Sequence, residues 1–172
     1  MCKFKCEYNW LPDFVYGSID GIVTTFAVVS AVEGGSLPVA IILIMGFANL
    51  FADGFSMAAS KYLSDKAEID QADIDSTGVN PVLGALSTFG AFILLGCVPL
   101  AAYVIQPFLN LDAEFTFKLA CGLTLLALFC VGFLKGLFIH KNKFVEGLET
   151  MLVGALAAGI SYGIGFWIES LV

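Results

Sequence analysis

Long apolar runs and short polar breaks alternate along the chain. Runs rich in apolar residues lie at roughly 14–34, 38–61, 82–105, 115–139 and 145–170. At 1.5 Å per residue each is long enough to cross a hydrocarbon layer about 30 Å thick. The breaks are EGGSLP, a stretch of about 20 residues ending in STGVNP, then QPFLNLDAE and HKNKF. The pattern predicts an all-α, polytopic membrane protein with five transmembrane helices in a single domain over residues 1–172, with 62–80 as a short acidic linker. The connections leave no room for a second soluble domain. Residues 1–13 are polar and no small-residue cleavage pattern follows the first run, so no cleavable leader is expected.

Composition agrees. Of 172 residues 59% are hydrophobic and 13% charged, with a mean hydropathy of +0.91, too apolar to clothe a soluble domain. The chain has no Arg, and its lysines are uneven. With five spans, Lys3, Lys5, Lys61, Lys66, Lys135, Lys141 and Lys143 fall on or near one side and only Lys118 near the other. The positive-inside bias makes the first side, with the N-terminus, cytoplasmic. Trp10, Tyr16 and Tyr62 are then expected at the inner interface, and Tyr103 and Trp167 at the outer one.

Much of the net charge of −7 comes from DKAEIDQADID, residues 65–75. Two readings stand: a solvated linker, or an acidic antechamber that concentrates cations at a pore mouth. No basic patch is present to neutralise phosphate, which rules against nucleic acid as a partner. Cys2 and Cys6 face a reducing compartment, and Cys97, Cys121 and Cys130 read as small buried hydrophobes. His140, the single histidine, lies in a basic loop and reads as interfacial.

The chemistry of interest lies inside the spans. In MGFANLFADGFSM, residues 45–57, Met45, Asn49, Asp53 and Met57 are each four apart and form one stripe along the second span. Asp20 lies about seven residues into the first span, and Asp53 about eight residues in from Lys61. Both carboxylates are therefore expected about 10–12 Å deep from the cytoplasmic side, level with each other in antiparallel helices. Gly17 and Gly21 flank Asp20 and permit close helix approach. No lysine lies deep in any span, so the balancing charge is a bound cation or a proton. Asp20, Asp53, Asn49 and Met57 offer oxygen and thioether donors, a mixture that shifts preference from Mg²⁺ or Ca²⁺ toward Fe²⁺ or Mn²⁺. The blander alternatives are Asp20 capping a helix break, Asp53 held neutral by a hydrogen bond, and Met57 as packing.

These residues carry a resemblance. YGSIDGIVTTFAVVSAVEGG is similar to the first-span motif of the vacuolar iron transporter family, and FADGFSMAASKYLSDKAE to its second. NPVLGALSTFGAFILLGCVPL resembles the third span and LVGALAAGISYGIG the last. The resemblance implies a five-helix protomer working as a homodimer, with Asp20 and Met57 lining the ion path. It implies movement of Fe²⁺ or Mn²⁺ out of the cytosol in exchange for protons. Asp53 is not part of the motif and rests on chemistry alone. Two departures stand out. Ser60-Lys61 replaces the family's Gly-Glu, so that a positive residue at the pore mouth either lowers cation affinity or snorkels. The link of about 20 residues is also too short for the Glu-rich cytoplasmic metal-binding domain of plant and fungal members, leaving Glu68, Asp70 and Asp73 as a remnant for metal capture.

The expectation is an alternating-access carrier: Asp20 and Asp53, with Asn49 and Met57, take a divalent ion from the cytosol, and protons reset the carboxylates. Gly132/Gly136 and Gly159/Gly163 are expected to pack the fourth and fifth spans tightly. No resident cofactor is called for. A non-transporting membrane scaffold whose buried acids set oligomer registry is the alternative. An enzyme is not expected, since no Ser–His or Cys–His pair lies within the spans and no His-Glu zinc motif occurs. The absence of Arg and the short loops favour a bacterial cell membrane over a vacuolar one.

Overall fold

The computed structural model describes residues 9–72 and 80–172. Five helices account for nearly all of them: α1 (Leu11–Gly34), α2 (Val39–Ala72), α3 (Pro81–Leu109), α4 (Ala113–Phe138) and α5 (Lys143–Glu169). All five are long and apolar enough to cross a membrane, and the protein is an integral, multi-pass membrane protein. Local sequence sets several boundaries. Pro12 stands in the first turn of α1 and Pro81 opens α3, where a missing N–H costs nothing. The Asn80 side chain accepts from the Leu83 N–H at 3.1 Å, and Asn142 caps α5 by accepting from the Phe144 N–H at 3.2 Å.

Helix directions alternate. Residues 46, 54 and 61 of α2 meet residues 100, 92 and 84 of α3, so these two run antiparallel. Gly17 and Gly21 of α1 meet Thr88 and Phe92, so α1 and α3 run parallel. Lys61, Lys66, Lys135, Lys141 and Lys143 consequently gather at one end of the bundle. Lys118 stands near the other, paired with Glu114.

The bundle is built around α1, which packs against all four other helices. Half of its most apolar stretch is buried, against 11% for α5. Its most extensive contact is with α3, and its glycines explain why. A methyl group at Gly17 or Gly21 would run into the backbone of Thr88 or Phe92, so only glycine allows this approach. The close approach expected of Gly17 and Gly21 thus occurs, but toward α3. Helix α2 also packs mainly on α3, and α3 is the shared wall between the first two helices.

The larger apolar cluster, Phe26, Val29, Val32, Ile42, Leu100, Ala102, Tyr103 and Ala120, fills the half away from the lysines. Tyr103 is at its centre and fully buried, which corrects its placement at the outer interface. Its hydroxyl donates to Glu33 Oε1 at 2.7 Å, giving the ring's polar end a partner inside the protein. Trp10, Tyr16, Tyr62 and Trp167 are all exposed.

Three further expectations change. Helix α2 runs unbroken to Ala72, so most of the stretch expected as linker is helix. Its 34 residues span about 50 Å, well beyond the hydrocarbon layer. Gly132 and Gly136 do seat α5, against Thr150, Glu146 and Lys143, whereas Gly159 and Gly163 face open space with nothing within 4 Å. The α4–α5 contact is closed at the lysine-rich end by Lys135, which meets Glu146 at 2.8 Å, and continues through Leu128 against Gly154 to the stacked rings of Phe117 and Tyr162. Finally, Cys130 is exposed, and Cys97 and Cys121 are only half-buried.

Candidate functional site

Asp20 sits on α1 and Asp53 on α2, and Phe92 of α3 serves as a ruler between them. Gly21, next to Asp20, abuts the Phe92 backbone, and Gly54, next to Asp53, abuts the Phe92 ring. The two acids therefore lie at one level of the bundle. Both are half-buried. Among the described residues no lysine comes within salt-bridge distance of either. The Thr24 hydroxyl donates to the backbone carbonyl of Asp20 at 2.8 Å and leaves the carboxylate untouched.

Asn49 and Met57, one helical turn on either side of Asp53, are half-buried, while Met45 at the end of the stripe is exposed. The Asn49 Nδ2 is enclosed, with no hydrogen-bond acceptor in reach among the described residues. A buried amide donor without a partner is costly, and a nearby carboxylate or water is the natural remedy. The α1 and α2 side chains thus supply two carboxylates, an amide and a thioether. Among the described residues no three His, Cys, Asp or Glu side chains converge as a ready-made metal cage.

A second ionic cluster lies nearer the lysine-rich end. Lys61 Nζ is 2.7 Å from Asp65 Oδ1 and 3.0 Å from Asp13 Oδ1. Its ammonium is pinned between two helices rather than snorkelling toward solvent. Asp65, part of the acidic stretch, is buried at 3% exposure, so this member of the stretch is not solvated. Gly84 of α3 makes the room: a Cβ there would stand 2.7 Å from Asp65 Oδ2 and 3.3 Å from Asp13 Oδ2. Glu68 and Asp70 are exposed on the extension of α2, two residues apart, so they do not share a helix face. Asp73 lies outside the described residues.

Comparison with known proteins identifies the fold's relatives. The model described as the VIT family matches residues 11–77 and 70–166, nearly the whole chain. The chain belongs to the VIT family. A vacuolar iron transporter from Toxoplasma gondii is 26% identical over 229 residues, covering 95% of this chain and 76% of the relative. Vacuolar iron transporter 1 of Tulipa gesneriana is 23% identical, covering 92% and 87%. A vacuolar iron transporter from Plasmodium berghei is 45% identical over a shorter stretch of 64 residues, 37% of this chain and 23% of the relative. The 229-residue match exceeds the 172 residues available here, so the Toxoplasma relative carries extra residues within it; this chain is a short form. VIT family membership also makes the chain a non-enzyme.

Sequence reasoning missed two features of this VIT-family chain. Asp13 is seven residues from Asp20, hence on the same face of α1, and that spacing was the available signal. The Glu33–Tyr103 bond joins residues 70 positions apart and has no local signature.

Proposed function

We propose that the chain is a transporter of divalent metal, Fe²⁺ or Mn²⁺, carrying the ion out of the cytosol in exchange for protons. The observation that carries this reading is the pair Asp20 and Asp53: two half-buried carboxylates at one depth in a membrane bundle, with no ammonium within salt-bridge distance among the described residues. Isolated ionised Asp in a span costs about 2.5–3.5 kcal/mol on insertion scales. A mobile cation or a proton removes that cost, and the two compete for the same oxygens. Metal taken from the cytosolic side and protons taken from the other side then give coupled exchange. Met57 adds a soft donor that favours Fe²⁺ and Mn²⁺ over Mg²⁺. The names of the relatives from Toxoplasma gondii and Tulipa gesneriana, both vacuolar iron transporters, support iron as cargo.

The working unit in this reading is a homodimer. One chain contributes only two carboxylates, and a second copy would complete the shell. The lysine-rich end faces the cytosol by the positive-inside rule. Short connections favour a bacterial cell membrane over a vacuolar one.

Reconstitution in liposomes tests the reading. Under an imposed pH gradient, the wild type should move Mn²⁺ and protons in opposite directions. Asp20→Asn should abolish both fluxes. Calorimetry on detergent-purified protein should show a high-affinity Mn²⁺ site that is lost in Asp53→Ala. Metal flux that persists in Asp20→Asn, or a wild type that binds no divalent ion, would refute the transporter reading and leave the membrane scaffold.

A further inference from the structure

The stripe on α2 does not stop at Met57. Asn49, Asp53, Met57, Lys61 and Asp65 are spaced four apart, so each side chain neighbours the next along one ridge. Asp13 and Asp20 are two turns apart on one face of α1. The Asp13–Lys61–Asp65 cluster is therefore the continuation, toward the lysine-rich end, of the two helix faces that hold Asp20 and Asp53.

Three observations describe what occupies this point. The Lys61 ammonium lies between carboxylate oxygens of two helices, at 2.7 and 3.0 Å, where a metal bridging α1 and α2 would also sit. Asp65, whose side chain is 4% exposed, has a second oxygen, Oδ2, that is enclosed with no hydrogen-bond partner among the described residues. Gly84 leaves both Oδ2 atoms, of Asp13 and Asp65, turned toward one small space that any side chain would fill. A lysine used only as a strut does not explain an enclosed oxygen with nothing donating to it. Lys61 also has a long, flexible stem, and its side chain retains 27% exposure, so the ammonium has a way out.

We propose that the Lys61 ammonium is a tethered cation holding the entry position of the ion path, and that a divalent metal enters by displacing it from Asp13 and Asp65. The proposal rests on Asp20 and Asp53 being the ion path. A doubly charged ion interacts about twice as strongly with each carboxylate as a singly charged one at equal distance. Divalent metal displaces the ammonium, and Na⁺ or K⁺ does not. Lys61 thus sets both the charge selectivity of the mouth and the concentration at which metal enters, because a tethered competitor acts at an effective concentration in the millimolar range.

Two measurements test this. The first uses the wild-type chain, with Mn²⁺ as the probe and an amine-reactive reagent read by peptide mass. Labelling of Lys61 should rise several-fold as Mn²⁺ is raised, with Na⁺ at matched ionic strength giving no rise and the exposed Lys118 as the internal reference. Flat Lys61 labelling across the Mn²⁺ range overturns the proposal, whether or not Lys61 variants fold. The second uses Lys61→Met and Lys61→Arg in an Asp20→Asn, Asp53→Asn background. Electron paramagnetic resonance should show one Mn²⁺ bound per chain in Lys61→Met and none in Lys61→Arg. A monodisperse Lys61→Met that binds no Mn²⁺ overturns the proposal. Because Asp20 and Asp53 are absent from that background, this readout stands apart from the transporter reading. With the two acids intact, Lys61→Met should lower the KM for Mn²⁺ transport by about tenfold.

Discussion

Asp13 and Asp65 share an ammonium; Asp20 and Asp53, deeper in the same two helices, have none among the described residues. The residue type is identical, so the difference lies in the surroundings. At the lysine-rich end the neighbouring lysine can be supplied by the sequence, since its stem reaches polar surroundings. Farther in, a fixed ammonium would itself need desolvation, and a permanent partner would neutralise the carboxylates for good. A carboxylate with a resident partner holds helices together. One without a partner has to borrow its counter-charge, and a borrowed charge can be passed on.

The sharpest way to break this comparison is to neutralise one acid of each kind. Asp20→Asn or Asp53→Asn should weaken Mn²⁺ binding by about 100-fold or more: a unit charge about 4 Å from a divalent ion contributes about 8 kcal/mol at an effective dielectric of about 20, well above the roughly 2.7 kcal/mol that 100-fold represents. The melting temperature in detergent should not fall, because the amide is the easier group to keep in a span. Asp65→Asn should do the reverse for stability, costing about 1.5–3 kcal/mol by removing the shorter partner of Lys61. If Asp20→Asn unfolds the protein and Asp65→Asn does not, the assignment of roles is inverted.

Glu33 offers a third case, a carboxylate whose partner is a neutral hydroxyl. Tyr103→Phe deletes only that hydroxyl and should cost about 1.5 kcal/mol, read as a drop in melting temperature. Glycines sharpen the contrast between the two ends. Gly84→Ala places a methyl against the Asp65 carboxylate and should cost about 1–3 kcal/mol. Gly159→Ala meets nothing within 4 Å and should stay within about 0.5 kcal/mol of wild type.

The five helices were legible because apolar runs of that length have few other uses. The Asp20–Asp53 level was legible too, since two residues at similar depth from the same membrane face meet by arithmetic alone. What was not legible was which helix packs on which. Gly17 and Gly21 announce a close approach without naming the partner, and the partner is α3. Tyr103 shows the same limit: an aromatic near the end of a span reads as an interfacial anchor until Glu33, 70 residues earlier, is seen beside it. Gly159 and Gly163 have the spacing of a packing motif, yet spacing alone does not fix which direction a helix face points. Lys61 was singled out as a departure from the family pattern. Its clamp by Asp13 and Asp65 depends on α1 crossing α2 beside Gly84, which no local pattern encodes.

The central position of α1 bears on how the protein is made. Of the five helices α1 is made before the other four, is the least apolar and carries Asp13, Asp20 and Glu33. The residues that later satisfy it, Lys61 and Tyr103, are synthesised about 50 and 70 positions behind the acids they meet. Helix α1 is therefore expected to settle in the bilayer only once α2 and α3 have been made.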